Sequence, residues 1–268
     1  MPEVHEAAQR GFTEGADSYN RGRPGYPEAI VNWLQTRVGL APEKQVLELG
    51  AGTGKFTRSL ALTGAQVHVI EPVPAMRSHL LHSVPSARPM PGSAEAIGME
   101  DHSVDAVVCA QSFHWFASSR TLAEIARVLK PGGMLGLVWN IPDEQVPWVA
   151  ALEAVLRPFE ATAPHAYRRG TWRSVFPDEH FHPLALTEYQ HSHAGSVHRV
   201  VIERVLSLSY VANLVPAERD TLMARVELLL TAQPDTRGRV EIEFPYRTHA
   251  YHCQVRGGAD ATAVGRPA

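Results

Sequence analysis

Three glycines at alternate positions, Gly50, Gly52 and Gly54, directly follow the apolar segment at residues 46–49. The segment has the length and composition of a buried β-strand, so the glycines are predicted to form the turn before the next helix. Glycine has no Cβ, so a ligand can approach the bare backbone N–H groups of such a turn. In α/β proteins, the carboxyl end of the first strand holds an adenine nucleoside cofactor in this way.

The glycine spacing distinguishes three kinds of nucleotide-binding turn. A P-loop does not fit, because Leu49 stands in place of its first glycine and Phe56 in place of its Ser or Thr. A dinucleotide turn does not fit either, because Lys55 or Thr57 stands in place of its third glycine, depending on the starting glycine. The pattern Glu-Leu-Gly-x-Gly-x-Gly, which binds S-adenosylmethionine, matches at every position.

A second β-branched segment, residues 65–70, ends in Glu71. A carboxylate at the tip of the second strand can accept both ribose hydroxyls of an adenosine. The interval between the glycine turn and Glu71 is the interval that one connecting helix requires. The two features together predict one adenosine site at the edge of a parallel sheet.

On these residues the chain resembles the class I S-adenosylmethionine-dependent methyltransferases. Residues 92–95 are similar to the loop after the third strand of that family, residues 103–111 to its fourth strand, and residues 129–133 to the turn before its fifth strand. Pro131, Gly132 and Gly133 are predicted to break the chain before that fifth strand.

Two further segments, residues 19–27 and 112–116, resemble a narrower group, the small-molecule methyltransferases related to trans-aconitate methyltransferase. The resemblance is strong over residues 10–140 and less specific from there to about residue 255.

The resemblance and the alternating strand and helix patterns predict an α/β fold. We expect a doubly wound, mostly parallel seven-stranded sheet of the Rossmann-like methyltransferase type, with a helical cap inserted late in the chain. The expected organisation is an N-terminal lid at residues 1–26 and a cofactor-binding core at 27–144. A substrate cap with two final antiparallel strands is expected at 145–256, and a disordered tail at 257–268.

The family resemblance also assigns roles in binding S-adenosyl-L-methionine. Ala94 and Glu95 would border the adenine, and Gln111, at the end of the predicted fourth strand, is assigned to the cofactor site as well. In the lid, Tyr19 would cover the methionine end, since an aromatic face suits a sulfonium. Arg23 would pair with the methionine carboxylate, since a guanidinium matches a carboxylate in a two-point bond.

The methyl acceptor is expected over the carboxyl ends of the fourth and fifth strands. His114 is the candidate general base, because its ordinary pKa lies near working pH. It could instead pack against the cofactor or hydrogen-bond the cap. Trp115 and Phe116 are predicted to form apolar walls, and Trp139 and Asn140, at the end of the fifth strand, to line the same cavity.

Composition narrows the partners. The formal charge of -3 over 268 residues provides no basic face for nucleic acid. No window is long and apolar enough to span a bilayer, and the first residues lack the features of a signal peptide. The two cysteines do not form a disulfide framework, so the cytoplasm is the expected location. His-x-His pairs at 180–182 and 191–193 lack a completing ligand set, so no metal site is predicted.

The sequence therefore predicts an enzyme, a monomer or homodimer, that transfers a methyl group from S-adenosylmethionine to a small molecule. The transfer would be an in-line displacement that depends mainly on positioning. Oxygen, nitrogen, sulfur and carbon all remain open as the accepting atom. A nicotinamide-dependent oxidoreductase and a non-catalytic S-adenosylmethionine-binding module are the alternatives.

Overall fold

The computed structural model describes residues 20–160 and 167–257. The strands in these residues are β1 Gln45–Leu49, β2 Gln66–Ile70, β3 Arg88–Pro89, β4 Gly92–Ser93, β5 Ala96–Ile97, β6 Val104–Ala110, β7 Leu129–Pro142, β8 Ala185–Ser196 and β9 Glu241–Gln254. Most of the predicted lid, with Tyr19, and the predicted tail from residue 258 lie outside the described residues. The predicted domain boundaries stay predictions.

The helices alternate with the strands as far as β7 and then cluster. They are α1 Ala29–Thr36, α2 Lys55–Ala61, α3 Pro74–Ser83, α4 Ser119–Val128, α5 Pro147–Glu160, α6 Arg204–Leu206, α7 Ser209–Ala212 and α8 Pro216–Ala232. A π-helix, His198–Glu203, leads into α6, and 3-10 turns lie at Phe113–Trp115, Tyr167–Arg169 and Thr171–Val175. Within the described ranges, no helix combines the length and apolarity needed to cross a membrane.

The main sheet has seven strands in the order β3-β2-β1-β6-β7-β9-β8. β1 is parallel to both β2 and β6, and β7 is parallel to β6. β9 runs antiparallel to β7 and to β8. The mostly parallel, seven-stranded prediction is confirmed. The direction of winding reverses between β1 and β6, and a crevice forms at such a reversal, outside the carboxyl ends of the strands.

Both faces of the parallel strands are buried, as in doubly wound sheets. On one face, α1, α2 and α3 cover alternate residues such as Val46 and Val108. On the other, α4 and the segment after residue 167 cover Leu47 and Leu137. The sheet is thereby fixed on both sides, and its carboxyl edge becomes a rigid platform for a site.

The predicted break at residues 131–133 is a bulge within the strand and does not precede it. β7 begins at Leu129 and runs through the glycines. Val104 pairs with Leu129 but Ala106 pairs with Met134, so the extra residues bulge out of the ladder. The bulge is accommodated at Gly132, whose φ of +77° is costly for other residues.

The cap packs as a third cluster, in which α5, the π-helix and α6–α8 surround Phe244 of β9. A buried ion pair holds the cap together: Arg204 Nη2 lies 2.8 Å from Glu153 Oε1, with side-chain exposures of 4% and 5%. Arg168 Nη2 approaches the other carboxylate oxygen of Glu153 at 3.0 Å. The guanidinium of Arg204 also stacks over the Phe244 ring at 4.6 Å.

We predict that Arg204→Met lowers the free energy of unfolding by about 3 kcal/mol, because it leaves the buried Glu153 carboxylate with Arg168 alone. Adding Glu153→Leu should recover most of this loss, since the uncompensated charge is then removed. Arg157→Met, which breaks the exposed pair with Glu144, serves as the matched control and should change stability little. Urea unfolding measures all three. A double variant no more stable than Arg204→Met would contradict the explanation.

Candidate functional site

A cavity of about 190 Å³ lies at the carboxyl ends of β1, β2, β6 and β7. Seven of the predicted site residues line it: Arg23, Gly50, Gly52, Glu71, Ala94, Glu95 and Gln111. Trp115, Phe116 and Asn140 are also part of the wall, whereas Gly54 and His114 are not. The fold thus brings residues from six separate segments of the chain to one place.

The three glycines of the turn differ in what an added side chain would meet. Gly50 has a φ of +70°, and a Cβ there would lie 2.7 Å from Ser112 Cβ, so a neighbouring strand end excludes a side chain. Gly54, at φ +84°, begins α2 and packs against Leu80. Gly52, at φ +58°, would bring a Cβ no closer than 3.6 Å to Met76 Sδ. Of the three glycines, only Gly52 could carry a Cβ with no contact closer than ordinary van der Waals distance. The prediction of bare N–H groups at this turn is wrong, because Gly50 N donates to Ile70 O, Gly52 N to Glu71 Oε2 and Gly54 N to Ala51 O.

Glu71 follows β2 and is fixed by backbone amides. Its Oε2 accepts a hydrogen bond from Gly52 N at 2.7 Å, and its Oε1 accepts one from Val73 N at 2.8 Å. Burial raises the pKa of this carboxyl, which is 7% exposed, and the two amides oppose that rise. Glu71 lines the cavity, and the two amides set the orientation of its carboxylate.

Ala94 and Glu95 form the two-residue turn of the β4–β5 hairpin. The hairpin lies against the cavity beside Glu71. The Ser93 hydroxyl oxygen is buried there without a hydrogen-bond partner among the described residues. A buried hydroxyl in a cavity wall without a partner is a place for a polar ligand group.

Gln111 and Asn140 end β6 and β7 and connect with each other. Gln111 has a φ of +57°, and its Nε2 donates to the Asn140 carbonyl at 3.0 Å. The Asn140 side chain donates to Gly25 O at 2.8 Å and accepts from Thr248 Oγ1 at 2.6 Å. A left-handed backbone at a non-glycine residue in a cavity wall is typical of functional sites.

Two lining residues have ionisable side chains to which the sequence analysis assigned no role. Glu48, in β1, is 1% exposed; its Oε2 accepts from Thr57 Oγ1 at 2.6 Å, and its Oε1 has no partner among the described residues. Burial raises the pKa of Glu48 to about 8, so it is protonated at neutral pH. The sequence did contain a signal for Glu48, because it is a carboxylate within an otherwise apolar strand.

Lys55 is the second such residue. Burial and the nearby Arg58, Arg199 and Arg23 lower the pKa of Lys55 to about 8. No carboxylate pairs with its amine in the described part of the chain. A cation without a partner at a cavity wall, next to other cations, favours an anionic ligand group.

His114 lies in the 3-10 turn after β6, where its Nδ1 accepts a hydrogen bond from Trp139 Nε1 at 3.1 Å. Its ring also contacts Trp115. Neither His114 nor Trp139, which was predicted to line the cavity as well, is among the residues of its wall. The role of His114 as a general base stays a prediction. No group of three or more His, Cys, Asp or Glu side chains arranged for a metal occurs within residues 20–160 and 167–257.

A seven-stranded sheet of this order, with a glycine turn and a carboxylate at its crevice, is the fold of the class I methyltransferases. The model of the methyltransferase domain family matches residues 47–137. An uncharacterized methyltransferase-like protein of Schizosaccharomyces pombe is 35% identical over 240 residues, which cover 89% of this chain and 93% of that protein. An uncharacterized methyltransferase of Mycobacterium tuberculosis is 35% identical over 237 residues, 88% of this chain and 92% of its own.

Solved structures share the fold. A protein of Anaeromyxobacter dehalogenans, provisionally named a type II methyltransferase, matches with a TM-score of 0.62 at 24% identity, covering 87% of this chain and 97% of that one. The phosphoethanolamine N-methyltransferase 2 of Haemonchus contortus, bound to S-adenosylhomocysteine, matches with a TM-score of 0.53 at 14% identity, covering 96% and 61%. The chain belongs to the class I S-adenosylmethionine-dependent methyltransferases and is a methyltransferase enzyme. The narrower resemblance to the trans-aconitate group stays a prediction.

We predict that Glu48 makes the folded protein less stable, relative to a Gln at this position, as pH rises from about 5 to 8. The difference in stability between Glu48→Gln and the natural protein should therefore shift in favour of the variant across this range. The unfolded Glu48 ionises near its ordinary pKa of 4.5, whereas the folded carboxyl keeps its proton up to a pKa of about 8. Ionisation therefore favours the unfolded chain across that window. Urea unfolding at several pH values measures the effect, and Glu43→Gln, at an exposed site, is the control. Parallel curves for Glu48→Gln and the natural protein would contradict the burial argument.

Proposed function

We propose that this protein transfers a methyl group from S-adenosylmethionine to a small organic acceptor. The observation that carries the proposal is the shared cavity of the glycine turn, Glu71 and the β4–β5 turn. These are the parts that an adenosine needs: a turn whose glycines carry no side chain, a carboxylate for the ribose and a hairpin turn to border the base. The fold also holds S-adenosylhomocysteine in the Haemonchus enzyme.

Glu71 would bind the ribose. Each of its oxygens accepts one backbone N–H. Since a carboxylate offers about four lone-pair positions, each oxygen can accept one ribose hydroxyl as well. Ala94 and Glu95 would border the adenine, with the Ser93 hydroxyl as a further partner.

The methionine end would lie toward the two cations of the wall, Arg23 and Lys55. A guanidinium and an ammonium together suit a carboxylate. Gly50, Gly52 and Gly54 would shape the turn below this end, and Gln111 would border it from β6. The cover that we predict for Tyr19 belongs to the same proposal.

S-adenosylmethionine supplies an activated methyl carbon on a sulfonium, so the protein has mainly to align the acceptor and exclude water. Trp115 and Phe116 form the apolar part of the wall, and an apolar wall excludes water from the reacting atoms. The Gln111–Asn140 pair would position the acceptor through its amide groups. The proposal requires no dedicated base, and oxygen, nitrogen, sulfur and carbon acceptors all remain within it.

A small acceptor fits the charge and the architecture. A formal charge of -3 gives no basic surface for nucleic acid, and the cap would lie over the acceptor. A reducing cytoplasm is part of the proposal, since Cys109 and Cys253 are buried as free thiols. A monomer or homodimer is proposed without a specific interface.

Isothermal titration of the purified chain with S-adenosylhomocysteine and with NADH tests the cofactor. We expect tight binding of the first and weak binding of the second.

Glu71→Ala should weaken binding of S-adenosylhomocysteine by about 1–3 kcal/mol, because two hydroxyls lose a charged acceptor. Glu95→Ala, at the neighbouring turn, is the comparison and should cost less, since its carboxylate is assigned only to the edge of the adenine. Tighter binding of NADH, or an unchanged affinity in Glu71→Ala, would contradict the assignment.

Labelled S-adenosylmethionine offered with carboxylates, phenols, amines and thiols tests the catalytic part. Label should appear in the product of at least one class, and the class identifies the accepting atom. No transfer to a broad panel, despite tight cofactor binding, would favour a non-catalytic binding module.

A further inference from the structure

The described end of the predicted lid, residues 20–26, rests directly on the backbone of the cap. A Cβ added to Gly22 would lie 2.6 Å from both Arg204 N and Glu203 C. Only a residue without a side chain allows so close an approach. Residues 20–26 therefore contact the cap at the junction between the π-helix and α6.

The arginines on both sides of Gly22 bind the cap at this junction. Arg21 Nε lies 2.8 Å from Glu203 Oε1, which is an exposed ion pair. Arg23 points toward the cavity, and its Nε donates to Ser207 Oγ at 2.9 Å while its Nη2 donates to Ser207 O at 3.2 Å. Arg23 and Ser207 are 184 residues apart in the chain.

The Ser207 hydroxyl is oriented for this contact. Its single proton is donated to Arg204 O at 2.6 Å, so only its lone pairs can face the guanidinium. Ser207 N donates to Glu203 O at 2.9 Å, and the residue is 8% exposed. The hydroxyl therefore acts as a fixed acceptor for the arginine.

Arg204, to which Ser207 donates its proton, is itself held in place. It is held by the buried Glu153 carboxylate and by the Phe244 ring. A side chain held by an immobile neighbour keeps its geometry when a ligand arrives, and so less ordering is left for binding.

We propose that Ser207, in the cap, is a positioning residue for the cofactor: it fixes the Arg23 guanidinium in the orientation that receives the carboxylate of the methionine portion. This inference rests on the proposed function, because it assumes that the cavity binds S-adenosylmethionine. It adds that the acceptor cap contributes to cofactor affinity, although Ser207 does not line the cavity.

The test compares two ligands that differ at this end. S-adenosylhomocysteine carries the amino-acid carboxylate, and 5′-methylthioadenosine lacks it. Ser207→Ala should weaken S-adenosylhomocysteine by about 5- to 10-fold, the effect of one hydrogen bond, and should change 5′-methylthioadenosine by less than about twofold. The retained affinity for 5′-methylthioadenosine also shows that the variant is folded.

Ser209→Ala, the same change two residues further on, is the matched control and should leave both affinities as they are. In an Arg23→Ala background, Ser207→Ala should cause no further loss, because the group it positions is absent. Equal weakening of both ligands, an unchanged affinity for S-adenosylhomocysteine, or additive losses with Arg23→Ala would each overturn the role of Ser207. A natural protein that binds neither ligand would overturn the proposed function itself.

Discussion

One hydrogen bond joins the two features on which the site depends: the Gly52 amide donates to the Glu71 carboxylate at 2.7 Å. Gly52 belongs to the turn after β1, and Glu71 follows β2, the strand that pairs with β1 in parallel register. The bond therefore ties the glycine turn to the end of the neighbouring strand. If the carboxylate moved, the turn would lose this hydrogen bond, and the ribose that we propose here would lose its acceptor. Burial raises the pKa of Glu71, and this amide and that of Val73 oppose part of the rise.

Residues from later in the chain hold the segment before α1, which contributes Arg23 to the cavity wall. Asn140 holds Gly25 through its side-chain amide, and the junction of the π-helix and α6 carries Gly22. The segment before α1 is thus fixed at two points, one on the sheet and one in the cap. Arg23 lies between them and reaches the cavity. The cap thus contacts the segment that contributes Arg23 to the cavity wall.

The local parts of the site could be predicted from the sequence, and the long-range parts could not. Gly52 and Glu71 follow from a glycine spacing and a strand end, which are properties of a few adjacent residues. Gly54 was assigned to the cofactor, yet its reason is packing against Leu80, which only the fold shows. Lys55 entered the sequence analysis merely as a mismatch to other motifs. The orientation of the His114 side chain depends on a 3-10 turn, and its hydrogen-bond partner Trp139 lies on another strand, β7. The link from Arg23 to Ser207 spans two distant segments with no shared pattern.

The central claim is that the turn at residues 50–54 and Glu71 together hold an adenosyl group. A crystal structure of the protein grown with S-adenosylhomocysteine measures this most directly. The account predicts both ribose hydroxyls within hydrogen-bonding distance of the Glu71 carboxylate and the adenine beside Ala94 and Glu95. Density for the ligand elsewhere, or a Glu71 carboxylate that contacts only the Gly52 and Val73 amides with ligand bound, would contradict it.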